Sequence, residues 1–368
     1  MDAAGRSCAK LPDIGNLTLN HFSEVSRVVV RTPAKLNLFL ELMARRSDGY
    51  HDIDTVMVPI NCYDTLDFRR AEHGTIRIAT NWWPSHQHWV QELGPAQADL
   101  LLYIPDDERN LIHRAILATS ELGRLSGGFN VEVRKRIPAG AGMGGASSDA
   151  AAAIRAVAKF GGISSTDTRL WTIAAQIGSD VPFFLGAEPG NRGGEERQRI
   201  TVSRVTAMRA TGRGENLSPV SLRKPLNLIV AFPAESLSTA KVYSHCVVPS
   251  QSTNVATMIE ALESGEPARI GEAMMNRLTE SALKLSATVK DLLEQMWRCG
   301  LPRCQLTGSG SACFSLIDDS CDAESLMKVL RHSLRANSMN AHIIRVETVA
   351  IPQRIFVSRK LAHLKTDI

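Results

Sequence analysis

Between residues 138 and 149 the chain reads Pro138-Ala-Gly-Ala-Gly-Met-Gly-Gly-Ala-Ser-Ser-Asp149, and this run constrains the possible folds more than any other stretch. Upstream, Asn130 to Ile137 alternates apolar and polar residues as a strand does. Downstream, the segment beginning at Ser147 supplies cap residues, then strong helix formers as far as Phe160, then the terminator Gly161-Gly162. The spacing therefore predicts a strand, a glycine turn and a helix in succession. A helix N-terminus reached through glycines presents N–H groups without intrahelical partners, and its dipole favours an anion. Glycine also lets the backbone approach a phosphate closely. A turn serving only packing is the alternative, but the density of glycines and the hydroxyls of Ser147 and Ser148 favour phosphate. The expected contacts are Pro138, Ala139, Gly140, Ala141, Gly142, Met143, Gly144, Gly145, Ala146, Ser147 and Ser148.

Three familiar phosphate loops are excluded by what surrounds the glycines. Gly140, Gly142 and Gly145 match G-x-G-x-x-G, a weak pattern by itself. A P-loop would end in Gly-Lys-Ser or Gly-Lys-Thr, whereas Gly145 is followed by Ala146. A dinucleotide fold needs a hydrophobic parallel strand before the loop and an acid ending the next strand; Val131 to Arg136 alternates, and Ile163 to Leu170 is polar. The V-A-I-K, H-R-D and D-F-G elements of a protein kinase are missing.

A chain of 368 residues exceeds what one core usually organises, so two domains are expected. A net charge of +4 with 22% charged residues is too slight to imply nucleic acid or a membrane surface as partner. The 7 cysteines are scattered and contain no C-x-x-C pair, which fits reduced thiols in the cytoplasm. No run approaches the ~20 apolar residues that span a bilayer, and nothing in residues 1–27 resembles an export signal.

Val28 to Leu42 reads as a strand with Leu36, Leu38, Leu40 and Leu42 on a buried face. Lys35, Asn37 and Glu41 fall on the other, with Phe39 the apolar exception. Thr55 to Phe68 is a second extended stretch. Asn81 to Trp89 reads as an irregular surface insertion whose histidines, His86 and His88, lack partners at metal-ligand spacing. Helices are expected over Asn110 to Leu122, Leu170 to Ile177, around Val255 to Leu262, and over Val289 to Arg298. A strand is expected at Leu226 to Phe232, and a second glycine turn at Thr307 to Ser311 before another helix. Pro189 to Arg199 is glycine-rich and charged, as a mobile loop would be, and a domain boundary is expected near it.

Taken together, the glycine run, the strand Pro33-Ala-Lys-Leu-Asn37 and the late turn Thr307-Gly-Ser-Gly-Ser311 resemble the GHMP small-molecule kinases. The flanking text Arg46-Ser-Asp-Gly-Tyr-His51, Tyr63-Asp-Thr-Leu66 and Ile177-Gly-Ser-Asp-Val-Pro-Phe-Phe184 resembles the branch of that superfamily serving the non-mevalonate isoprenoid pathway. The resemblance implies an α+β two-domain GHMP kinase fold: a ribosomal protein S5 domain 2-like N-terminal domain and a ferredoxin-like C-terminal domain. The bounds expected are an extension over 1–27, domains over 28–205 and 206–350, and a basic tail over 351–368. It also implies ATP with Mg²⁺ and a cytidylyl methylerythritol acceptor, bound by a monomer or homodimer.

Residue by residue, the resemblance makes Asp180 the base and Lys35 its assistant. That suits an alcohol attacking phosphorus, since a carboxylate must lie near the departing proton. Without the resemblance, Asp180 reads equally well as a helix cap and Lys35 as a solvated strand lysine. The resemblance further implies that Tyr50 and Tyr243 stack on cytosine while His51 reads its edge, and that Asn37, Gly308 and Ser309 contact the acceptor. Asn110 and Lys135 match positions around the adenine and ribose. Ala146 replaces a frequent glycine, and the segments 81–102 and 187–206 are longer than the family pattern suggests.

Overall fold

The computed structural model describes residues 25–359, apart from 73, 106, 189–205, 302 and 353–354. Two sheets organise it. The first is built on two long antiparallel strands, β1 (Val25–Arg45) and β2 (His51–Ala71), followed by β3 (Ile76–Trp82). Helices α1 (His86–Leu93), α2 (Pro95–Leu102) and α3 (Leu111–Leu122) lead to β4 (Gly128–Lys135), which pairs antiparallel with β2 and parallel with β3. The glycine run then turns into α4 (Gly145–Phe160), and α5 (Arg169–Ile177) and α6 (Val181–Leu185) pack beside it. Nearly the whole circumference of α4 is buried, which its alanines permit because they bring helix propensity with little volume.

The hairpin β5 (Met208–Gly212) and β6 (Asn216–Pro219) extends the first sheet from β2. The second sheet starts at β7 (Asn227–Pro233). Between it and the next strand of that sheet come α7 (Thr239–Ser244), α8 (Ala256–Ser264), α9 (Pro267–Ala273), the two-residue β8 (Met275–Asn276), α10 (Thr279–Leu285) and α11 (Ala287–Arg298). Strands β9 (Cys304–Leu306) and β10 (Cys313–Ile317), helix α12 (Ala323–Ala336) and strand β11 (Ala341–Glu347) complete it, and β12 (Ile355–Arg359) ends the described chain. The order β11-β7-β10-β9, all antiparallel, is 4-1-3-2 in chain order, with helices after the first and third strands. That is the ferredoxin-like βαββαβ arrangement.

Several expectations need correction. The insertion is not irregular: β3 and α1 cover most of 76–93, Ser85 caps α1, and Trp89 and Leu93 are buried one turn apart. The Trp89 ring lies 5.7 Å from that of Phe232 and 4.6 Å from that of His342, so this helix fastens the first unit to the second sheet. Its surrounding polar residues hid a two-residue apolar stripe. His86 and His88 face carboxylates at 2.8 Å (Asp99) and 3.6 Å (Glu92), and no metal-binding group of side chains exists among the described residues.

Strand β10, rather than a helix, follows the late glycine turn. The boundary expected at 205/206 moves, because β5 and β6 belong to the first sheet and the second begins at Asn227. The tail contributes β12, paired antiparallel with β1. The leucine face of β1 is buried as expected, but so is the opposite face from Thr32 to Leu42, and the strand carries a register shift between Asn37 and Phe39. The expected loop Pro189 to Arg199 lies outside the described residues.

Candidate active site

A cleft of about 1290 Å³ lies between the glycine run, the start of α6, α7 and the late turn, large enough for two substrates side by side. Every residue from Pro138 to Ser147 lines it, as do Lys35, Asn37, Tyr50, His51, Lys135, Asp180, Tyr243, Gly308 and Ser309. Two expected residues stand elsewhere. The Ser148 hydroxyl is buried, 2.6 Å from the Pro33 carbonyl oxygen, which leaves Ser147 as the loop hydroxyl on the cleft. Asn110 caps α3: its Oδ1 accepts from the Ile112 N–H at 2.9 Å and its Nδ2 donates to the Pro105 carbonyl at 2.7 Å.

The loop reaches α4 through Gly144 at φ 73°, a left-handed conformation, and no side chain caps the helix. Its first-turn N–H groups therefore take no side-chain partner, the condition for receiving phosphate. The glycines also answer to the protein itself. A Cβ on Gly142, at φ +75°, would stand 2.2 Å from the Thr307 carbonyl oxygen, and one on Gly144 would stand 2.9 Å from the Phe184 ring. Gly142 is thus required by the close approach of two glycine turns as well as by any anion.

Lys35 is held at both ends. Its backbone N–H donates to the Met143 carbonyl at 3.0 Å, joining β1 to the loop. Its Nζ donates to Asn37 Oδ1 at 2.5 Å and lies 3.6 Å from Asp180 Oδ2. Burial pulls the ammonium below the usual lysine range and the Asp180 charge partly restores it. Asp180 occupies the position before α6 but accepts no capping bond, so its carboxylate faces the cleft instead of its own helix.

Asn37 is fixed by Thr307 of the late turn and by residues that sequence reasoning missed. Its Nδ2 donates to Thr55 Oγ1 at 2.9 Å, its N–H donates to Thr307 Oγ1 at 3.1 Å, and Gln305 donates to its carbonyl at 3.1 Å. Asn276 donates to the Gly308 carbonyl at 2.8 Å and the Leu306 carbonyl at 2.9 Å, which shapes the late turn. Isolated Thr, Gln and Asn residues on separate elements give no pattern that would single them out in a sequence.

Beside the loop, Lys135 Nζ lies 2.5 Å from Asp64 Oδ2 and 2.6 Å from Asp149 Oδ2, all three side chains being buried. Burial and the second carboxylate push Asp149 up to about 8, although Lys135 opposes the shift. Burial works against the Lys135 charge too, but its two carboxylates more than offset this and raise its pKa. Asp64 Oδ1 also accepts the Arg136 N–H at 2.5 Å and the Ile137 N–H at 3.1 Å, fixing the chain as it enters the glycine run.

Across the cleft, the His51 and Tyr243 rings pack 5.6 Å apart at 37°. They touch each other, within ordinary aromatic-pair distance, instead of standing apart around a base-sized gap. Burial and the Arg45 charge hold His51 below the usual histidine range, so at neutral pH its ring offers one donor and one acceptor. Burial and the nearby Asp180 charge raise the Tyr243 phenol, which stays protonated. Tyr50 is 58% exposed, with the Arg213 guanidinium 5.1 Å from its ring centroid.

An uncapped helix behind a glycine loop, set against a ferredoxin-like sheet with a Lys–Asp pair in the cleft, defines the GHMP class of small-molecule kinases. The profile for the GHMP kinases N terminal domain matches residues 110–187, and that for GHMP kinases C terminal matches 258–336. A 4-diphosphocytidyl-2-C-methyl-D-erythritol kinase of Rhodopirellula baltica is 39% identical over 89% of this chain and 97% of its own, and one of Exiguobacterium sibiricum 32% over 83% and 94%. A crystal structure of 4-(cytidine 5'-diphospho)-2C-methyl-D-erythritol kinase superposes at a TM-score of 0.62 with 27% identity, covering 87% of this chain and 98% of that one. A homoserine kinase from Cytophaga hutchinsonii superposes at 0.64 with 17% identity, covering 93% and 100%, a likeness of fold alone. The chain belongs to the 4-diphosphocytidyl-2-C-methyl-D-erythritol kinase family of the GHMP kinases.

Proposed function

We propose that this chain transfers the γ-phosphoryl group of ATP to the 2-hydroxyl of 4-diphosphocytidyl-2-C-methyl-D-erythritol, a step in isoprenoid precursor synthesis. The observation that carries the chemistry is the pairing of Lys35 and Asp180 at 3.6 Å in the same cleft as the glycine loop. The acceptor hydroxyl oxygen attacks the γ-phosphorus, the bond from γ-phosphorus to the bridging oxygen breaks, and ADP leaves. Asp180 accepts the hydroxyl proton, while Lys35 fixes the carboxylate and offsets the charge that builds on the transferring oxygens. The N–H groups of the loop and of the first turn of α4 hold the ATP phosphates. His51 and Tyr243 take the cytosine, the neutral imidazole reading its edge.

Magnesium fits this cleft only as a companion of the nucleotide. Among the described residues no cluster of three acidic or imidazole ligands exists, and Mg²⁺ commonly relies on substrate phosphates with one or two protein ligands. The Ser147 hydroxyl of the loop is a cleft oxygen suited to it, and when bound it would neutralise charge on the phosphates. We place the reaction in the cytoplasm, a reading supported by the free thiols of the described cysteines. No described helix is long and apolar enough to cross a membrane. An assay with ATP and the cytidylyl acceptor, beside mevalonate and homoserine, tests the proposal. Turnover of the cytidylyl compound alone is expected; turnover of either of the others in its place would overturn the acceptor assignment.

A further inference from the structure

Five cationic side chains line the cleft: Lys35, Arg45, Arg114, Lys135 and Arg213. Lys35 faces Asp180, Lys135 is enclosed by Asp64 and Asp149, and Arg114 Nη2 reaches the Gln176 carbonyl at 3.4 Å. Arg45 and Arg213 stand beside His51 and Tyr50. Among the described residues neither guanidinium lies within ion-pair distance of a carboxylate, although the Arg213 charge reaches the Asp48 carboxylate at longer range; Arg46, one residue on from Arg45, is tied to Asp48 at 3.1 Å and Asp52 at 3.0 Å.

Both arginines flank the residues assigned to the base. Arg45 is the register partner of His51 across the β1–β2 ladder, and its charge reaches the imidazole. Arg213 stands at the tip of the β5–β6 hairpin with its guanidinium 5.1 Å from the Tyr50 ring centroid. The hairpin is braced for this: the Arg213 N–H donates to Glu215 Oε2 at 2.6 Å, and Gly212 before it takes φ +74°. A guanidinium parked on an aromatic face keeps its N–H edge free for an anion, and its planar fork suits phosphate oxygens.

We propose that Arg213, with Arg45 beside it, binds the diphosphate linker of a nucleoside-diphosphate-linked acceptor and selects acceptors that carry one. The inference rests on the cytidylyl reading above. A diphosphate diester carries a negative charge on each phosphorus and joins the base to the polyol, so it must cross the ground between the His51–Tyr243 rings and the Lys35–Asp180 pair. Lys35 and Lys135 already answer to protein carboxylates, which leaves the two arginines as the cations open to it on the base side.

The test is calorimetric titration of the full chain with cytidine and with CDP, the ATP site being held by a saturating non-hydrolysable ATP analogue. The native chain is expected to bind CDP about tenfold or more tighter than cytidine, the scale of charge-assisted hydrogen bonds. In Arg213→Gln that preference should shrink about tenfold while cytidine and the ATP analogue bind within about twofold of native. Arg213→Lys, which keeps the charge without the fork, should recover part of the preference. Undiminished CDP affinity in Arg213→Gln would overturn the proposal, as would equal weakening of cytidine and CDP, which would make Arg213 only a packing partner of Tyr50. A native chain that binds cytidine without preferring CDP defeats the linker site and leaves the base site standing. One that binds neither defeats the cytidylyl reading itself.

Discussion

Asp180 is proposed as the base because its immediate surroundings leave its carboxylate facing the cleft with Lys35 beside it. It stands where a helix cap would stand and caps nothing, with the buried Lys35 ammonium 3.6 Å away. Asp180→Asn keeps the shape and removes the proton acceptor, so turnover is expected to fall by a factor of ~10² or more with nucleotide and acceptor affinities little changed. Single-turnover rates beside equilibrium binding separate the two effects; near-native turnover would return Asp180 to the structural role of a helix start. Tyr243 lies on the opposite wall, packed on His51 and open to the cleft. Tyr243→Ala is expected to weaken cytidylyl acceptor binding by roughly 1 to 3 kcal/mol, the usual worth of a ring stacked on a base. Calorimetry should find ATP affinity unaltered, and an acceptor affinity equally unaltered would remove the ring from the base site.

The active site is assembled where short elements from distant parts of the chain come within contact of one another. Gly142 meets the late turn so closely that a Cβ would lie 2.2 Å from the Thr307 carbonyl oxygen. Gly142→Ala must therefore either separate the two turns or strain the loop at φ +75°, and a loss of about 1 to 3 kcal/mol of stability is expected with it. Nucleotide affinity should drop in the same variant, and native affinity together with a native Tm would show that the turns are not interlocked. At the start of α4, Asp149 keeps its proton in the folded chain up to about pH 8, whereas a free aspartate releases it near ~3.9. The stability this contributes is present below the lower value and is lost as pH rises through the higher one. Urea denaturation is expected to show the native chain losing more stability than Asp149→Asn between about pH 5 and about pH 9. Parallel pH profiles would mean that the Lys135 charge keeps Asp149 ionised throughout.

Across the whole molecule, α1 ties the first unit to the second sheet, and a half-buried ion pair ties β1 to the segment that follows β8. Glu41, expected with Lys35 and Asn37 on the face of β1 opposite the leucines, is fully buried and grips Arg277 through both oxygens at 2.6 Å, while its Oε2 also accepts the Thr253 N–H at 2.9 Å. Arg277 follows β8, the two-residue strand that docks on β1 and carries Asn276 to the late turn. Arg277→Met would strand a buried carboxylate. Because the arginine is 33% exposed, a loss of about 2 to 3 kcal/mol is expected, less than the ~3–5 typical of a fully enclosed pair. Chemical denaturation measures it, and a change under ~0.5 kcal/mol would mean that water already compensates Glu41.

The sequence by itself determined the parts that depend on neighbours along the chain: the glycine run opening an alanine-rich helix, the Lys35–Asn37 strand, the Gly-Ser-Asp-Val-Pro turn and the family they indicate. These are local because a turn needs its glycines, and a helix its formers and terminator, within a few residues. Only the tertiary structure decided which buried polar groups serve each other. It set Ser148 on Pro33 and Asn110 on its own helix, enclosed Lys135 between two aspartates, and turned Glu41 toward Arg277. It likewise joined the hairpin and the tail to the first sheet and brought Arg213 over Tyr50. Pairings of this kind span up to hundreds of residues and leave no periodicity in the chain. Their partners are chosen by which elements the buried apolar faces bring together, and that choice is made only when the sheets and helices pack.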